Sequence, residues 1–200
     1  MGCTGVTRSL VTLREAVTGD ALFLLEIWSE SLRRADHQVQ LADLEIVIKT
    51  AAGSPEQRLV IAEYDGDPVG AVFLKATTMS PIDLEPVVQT LSPHVLPSAR
   101  RKGIGRALME EAVAFADELG VGHVMTAAAS TSRDGNRFLA RIGFGAHATL
   151  RVAPTSMLRA KLTSRLTAGQ RAVASRRGHL GQVLAARRSM RQPRSTPTSA

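Results

Sequence analysis

Residues 100 to 106 read Arg-Arg-Lys-Gly-Ile-Gly-Arg, four cations and two glycines in seven positions. Such a cluster could hold an anion if its backbone amides are free to donate. The setting supplies those amides. A strand-like stretch from Val87 to Leu96 precedes the cluster, and an amphipathic helical stretch runs from Gly105 to Leu119. Its Leu108, Ala112, Phe115, Ala116 and Leu119 fall on one stripe. The first turn of a helix has N–H groups without intrahelical acceptors, and the helix dipole is positive there. Gly103 and Gly105 carry no side chain that would keep a phosphate away. A dinucleotide fingerprint is excluded because its third glycine would fall at Leu108, and no Gly-Lys-Ser/Thr ending marks a P-loop. On spacing alone the stretch reads either as an anion site or as a tight turn with a solvated charge run.

The elements that must position this loop alternate between the two periods. Val11 to Val17 alternates as a first strand, and Thr18-Gly19-Asp20 offers a helix start. Leu24, Leu25, Trp28 and Leu32 then share a helical face, and Leu41, Leu44, Ile48 and Ala51 mark a second helix. Leu59 to Tyr64 and Val69 to Lys75 form a hairpin around Asp65-Gly66-Asp67. Residues 76 to 86, with Pro81 and Pro86, are expected to be a loop. Pro93 should mark an edge or a bulge in the strand that follows. Gly120 suits a left-handed helix end. A strand from Val121 to Ala129, a helix from Asn136 to Ile142, and a last hairpin of Ala148–Val152 with Met157–Leu162 complete the expectation. Ser130, Thr131 and Ser132 read as helix caps.

Beyond the pattern itself, this loop and its flanks resemble the acyl-CoA signature of the GNAT superfamily of N-acyltransferases. The likeness rests on Val95-x-Pro97, Arg100-x-x-Gly103-x-Gly105, the helix Asn136 to Ile142 closed by Gly143-Phe144, and the hairpin Ala62 to Gly70. It covers about residues 11 to 163. The resemblance implies an α/β (α+β) fold with a mixed, mostly antiparallel central sheet flanked by helices. It implies acetyl-CoA as cosubstrate, with its diphosphate on the N–H groups of Arg101, Lys102, Gly103, Ile104, Gly105 and Arg106 and charge from Arg100. The pantetheine arm would lie along Val95 and Leu96, and an N–H of one of these would hold the thioester carbonyl. Asn136 is implied as a further contact to the cofactor, or else it satisfies local backbone at the helix start.

The sequence departs from the family pattern at two places. Many superfamily members protonate the leaving thiolate with a tyrosine four residues before the closing glycine, and that position here is Leu139. Tyr64, the one tyrosine, lies at the hairpin. Some relatives place a glutamate base five residues before the proline, where this chain has Ser92. His94 shares the parity of Ser92 and is the candidate base, unless a bulge at Pro93 shifts it. Its alternative reading is a strand histidine donating to backbone. Glu85 is an alternative base acting through water. The implied reaction is acetyl transfer to a primary amine of a small molecule or a protein. A non-catalytic acyl-CoA-binding domain is the reading suggested by the missing tyrosine.

Composition bounds the rest. Of 25 Lys and Arg residues, eight arginines fall within residues 165–200 with no acid, leaving 17 cations against 18 acids in the body. The body therefore carries about −1 and the tail +8. Weak polyanion binding is expected of the tail alone, which would make the chain a nucleic-acid-associated protein on the rival reading. With no aromatic residue in the tail, base stacking is not expected. Residues 1–10 read as a loose leader, 11–163 as the acyltransferase domain and 164–200 as a flexible, disordered or weakly helical basic extension. One cysteine, Cys3, excludes an internal disulfide and a cysteine zinc site, and no metal is expected. No apolar run reaches the roughly 18 residues that span a bilayer. Val6 stands where a myristoylation signal needs Ser or Thr, so no lipid anchor is expected. A cytoplasmic location without membrane association is expected, and a homodimer is allowed.

Overall fold

A computed structural model describes residues 10–129 and 131–163. Among the described residues up to 144, five strands and four α-helices follow one another as β1 (Val11–Glu15), α1 (Ala21–Ile27), α2 (His37–Ala52), β2 (Gln57–Tyr64), β3 (Asp67–Ser80), β4 (Asp83–Val95), α3 (Ile104–Glu118), β5 (Val124–Thr126) and α4 (Arg133–Arg141). The strands form one sheet in the order β1-β2-β3-β4-β5. The first three pairings are antiparallel and the last is parallel. The parallel step needs a crossover, and α3 provides it. The mixed, mostly antiparallel sheet flanked by helices is the expected fold.

Helices cover both faces, so β2 reads as an unbroken apolar run, Leu59-Val60-Ile61-Ala62, rather than an alternation. Leu59, Ile61 and Ala71 pack with Leu24, Leu25, Trp28, Leu44 and Ile48 of the α1/α2 layer. Val60, Ala62, Val72, Leu74 and Val88 pack with Ile104, Leu108, Ala112 and Phe115 of α3. Gly120 takes the left-handed conformation at φ +65°, as its place after α3 suggested.

Residues 76 to 86 are not a loop. β3 runs on to Ser80 and β4 begins at Asp83, with Thr78 opposite Pro86. The prolines do not prevent this. Pro81 sits in the turn. Val88 donates its N–H to His123 O at 2.9 Å, on the β5 side. By alternation the Pro86 nitrogen points to that same outer edge, where β5 does not reach, so no ladder bond is lost.

The strand expected from Val121 to Ala129 shortens to the three residues of β5. The last hairpin is also absent: residues 145–154 have no regular structure and 155–163 are helical. Met, Leu, Ala and Lys in that stretch are good helix formers, and Pro154 precedes the first turn, with Leu158 N bonded to Pro154 O. The apparent alternation there was a poorer guide than propensity. The chain divides into two compact units, Met1–Phe144 and Gly145–Ala200, and among the described residues every strand lies in the first. The expectations for residues 1–9 and for the arginine-rich segment from 164 lie outside the described residues.

Candidate active site

β4 and β5 pair only over Val88–Thr90 and Val124–Thr126. Beyond that point β4 continues to Val95 paired only with β3, and a cleft of about 670 Å³ opens on its other side. His94 and Val95 of β4, Arg100, Arg101, Gly103, Gly105 and Arg106 of the basic loop, and Arg137, Phe138 and Arg141 of α4 all line it. A separate hollow of about 150 Å³ lies beside Arg58. There the guanidinium is bound by Glu111 at 2.8 Å and Glu118 at 2.6 Å, so its charge is answered internally.

The loop builds its amide surface from left-handed residues. Arg101 has φ +64° and Gly103 φ +85°. Gly103 is the residue at which α3 starts, and its carbonyl receives the Ala107 N–H at 3.0 Å. The N–H groups of Ile104, Gly105 and Arg106 are then first-turn donors with no intrahelical acceptor. Successive amides in such a turn form a concavity that suits an anion. A Cβ at Gly105 would stand 3.6 Å from the Phe138 ring, so α4 closes against the first turn of α3 there.

Not every residue of the basic run turns to the cleft. Lys102 Nζ sits 4.1 Å above the Tyr64 ring, a cation–π contact that takes its charge elsewhere. The Ile104 side chain is buried at 1% exposure among the α3 core residues. Arg106 does line the cleft, but its Nε is bound to Glu110 at 2.7 Å. Arg137 and Arg141 do reach the cleft, and the sequence reading missed them. The one available signal was their spacing of four residues on a helix that carries little else apolar than Phe138 and Leu139.

The backbone of β4 separates Val95 from Leu96. Leu96 donates its N–H to Val69 O of β3 at 2.8 Å, so it is not free for a ligand. Strand amides alternate in direction, so the Val95 N–H points away from β3, toward the open side. His94 is displaced by a bulge. Ala71 pairs with His94 and Phe73 with Leu91, leaving Val72 opposite both Ser92 and Pro93. Ser92 is left-handed at φ +46°, and its carbonyl receives the Trp28 Nε1–H at 2.8 Å. The extra residue reverses the alternation. His94 therefore shares the α1/α2 face with Ala71, not the α3 face that Val88 and Thr90 would extend. The bulge at Ser92–Pro93 is the exception that the shared parity of Ser92 and His94 allowed for, and His94 stays at the cleft. Burial holds its imidazole below the ordinary value of about 6.5, Arg100 adds to the fall and Glu30 opposes it.

Two expected residues lie apart. Glu85 stands on the far arm of β4, 3.5 Å from His123 Nδ1, and is not among the cleft residues. Asn136 donates its amide to Ala129 O at 3.0 Å and Ser132 O at 2.7 Å, which is the local backbone role. Ser132 caps α4, accepting from Gly135 N at 3.3 Å. Leu139 is half-buried and does not line the cleft, while the Tyr64 hydroxyl belongs to a ring already covered by Lys102. Among the described residues no group of His, Cys, Asp or Glu could hold a metal, and no helix is long and apolar enough to cross a membrane.

Residues 22–144 match the family model described as the acetyltransferase (GNAT) family. Among solved structures, a transcriptional regulator from Bacillus halodurans C-125 is 21% identical with TM-score 0.62, covering 72% of this chain and 99% of its own. A ribosomal-protein-alanine N-acetyltransferase from Brucella melitensis biovar Abortus 2308 is 20% identical with TM-score 0.56, covering 72% and 98%. The aminoglycoside N-acetyltransferase AAC(6')-Iy in complex with CoA is 16% identical with TM-score 0.60, covering 72% and 94%. At these identities the likeness is one of fold. No curated protein matches. A family match over more than half of its length makes this chain a member of the acetyltransferase (GNAT) family, an acyltransferase whose acyl donor is acetyl-CoA.

Proposed function

We propose that the chain is an N-acetyltransferase that moves the acetyl group of acetyl-CoA to a primary amine, with the cleft beside β4 as its active site. The observation that carries this reading is the convergence on one cleft of a first-turn amide surface, several arginines, the outward Val95 N–H and a histidine whose pKa burial lowers. The donor fits these residues: a diphosphate suits the amides of Gly103 to Arg106 with Arg100 and Arg101 beside them, and a slender amide-bearing arm suits the unpaired edge of β4. What the bound donor supplies is a thioester, an acyl carbon joined to a thiol leaving group.

The residues have distinct tasks. The Val95 N–H donates to the thioester carbonyl oxygen, whose charge grows during attack. His94 accepts a proton from the amine, which must be neutral to attack. A C–N bond forms and the C–S bond breaks. The departing thiolate takes its proton from solvent, because Leu139 offers none; a cysteine-like thiol has a pKa of about 8.5 and leaves without strong acid assistance. The amine acceptor is either a small molecule or a protein. A cytoplasmic setting, a separable basic tail and a homodimer belong to the same reading.

The test is a screen of amines with acetyl-CoA, read by free thiol release, together with calorimetric titration of CoA. Gly103→Glu should abolish CoA binding, since it adds a charge at the amide surface and a Cβ at φ +85°. Wild-type affinity for CoA no better than for a plain nucleotide would sink the reading.

A further inference from the structure

The charge of the cleft exceeds what a diphosphate needs. Five arginines and one acid, Asp134, line it, a formal +4. A diphosphate diester carries about two negative charges, while a phosphate monoester adds about 1.5 to 2 more. The diphosphate already has the α3 amides with Arg100 and Arg101 beside them, and Arg106 is held by Glu110. Arg137 and Arg141 remain. They are one turn apart on α4, on the same face, and both reach the cleft. Neither makes an ion pair among the described residues. Two like charges at this spacing repel, which costs helix stability unless an anion lies between them. Phe138, between them in sequence, packs its ring toward Gly105 and so sets this part of α4 against the anion loop.

We propose that Arg137 and Arg141 form a second phosphate subsite that reads the phosphomonoester distinguishing CoA from dephospho-CoA. The planar guanidinium matches a phosphate with two parallel hydrogen bonds, and two such groups four residues apart can grip one monoester between them. The subsite rests on the acyl-CoA reading of the cleft. It makes Arg137 and Arg141 specificity-determining residues for the donor, remote from the acyl carbon.

The experiment titrates the full chain calorimetrically with CoA and with dephospho-CoA, in the wild type and in a double variant with Arg137→Gln and Arg141→Gln. The wild type should prefer CoA by roughly 10- to 100-fold, the range of one or two charge-assisted pairs. The double variant should lose that preference and keep its dephospho-CoA affinity within about twofold, with an unchanged melting temperature. A variant that weakens both ligands equally, or that keeps the preference, overturns the subsite. A wild type that binds both ligands equally overturns the subsite and leaves the acyl-CoA reading standing. A wild type that binds neither overturns both.

Discussion

At the scale of single residues, the proposed mechanism turns on His94 and on what Leu139 does not provide. A general base must be unprotonated. Since burial and Arg100 lower the His94 pKa, the imidazole stays neutral down to a pH below its ordinary value of about 6.5. The acidic limb of kcat/KM should therefore lie below that value, with the rate falling as pH falls through it. His94→Ala should lower kcat/KM by about 10²-fold and remove that limb. An unchanged pH profile would return His94 to a structural role. Leu139→Tyr should change the rate only modestly, because departure of the thiol does not depend on an acid there. A large gain measured in that variant would show that proton delivery limits the wild type.

At the scale of elements, the bulge of β4 decides which side of the sheet His94 serves. Its geometry is held from outside the strand by the Trp28 Nε1–H on the Ser92 carbonyl. Trp28→Phe keeps most of the buried ring and leaves that carbonyl without its donor. Loss of such a bond costs about 1 to 2 kcal/mol, or a few degrees of melting temperature. Because the bond lies at the bulge, kcat should fall as well, and calorimetry should show CoA affinity unchanged. A second joint is the Arg14 bridge, which ties β1 to Asp20 at 2.7 Å and to Glu63 at 2.6 Å. Asp20 is nearly buried, and its hydrogen bond to Arg14 holds its carboxyl below the ordinary 3.8. Its contribution to stability is complete above that ordinary value and is lost as pH falls through the depressed one. Asp20→Asn should lower the melting temperature at neutral pH, and the loss should shrink on acidification. A deficit that is constant with pH would exclude this linkage.

At the scale of the whole chain, charge and chemistry are carried by different segments. The cleft is lined wholly by residues within 93–142, while eight arginines and no acid follow residue 164. A chain ending at Thr163 should keep the wild-type melting temperature and CoA affinity. It should lose salt-sensitive retention on an immobilised polyanion, since such binding arises from phosphate neutralisation and falls steeply with salt. A truncated chain that melts many degrees lower, or that is insoluble, would make the tail part of the fold.

What the sequence by itself determined is local. The stripe of Leu108, Ala112, Phe115 and Ala116 depends on the period of one helix, and the left-handed Gly120 on the end of that helix. The basic loop before α3 was legible because adjacent residues create the amide surface. The tertiary structure decided where the remaining groups point, since those choices rest on partners remote in the chain. Lys102 leaves the cleft for the Tyr64 ring, Leu96 gives its amide to Val69, and Arg58 is claimed by Glu111 and Glu118. The face of His94 depends on one unpaired residue in the β3–β4 ladder, and a one-residue shift reverses every side chain beyond it. The strand through residues 76 to 80 was hidden for a related reason: a proline that breaks a ladder is harmless where its nitrogen faces an unpaired edge, and only the short reach of β5 along β4 leaves that edge open. Arg137 and Arg141 became cleft residues once α4 had packed against α3, a contact that no periodicity encodes.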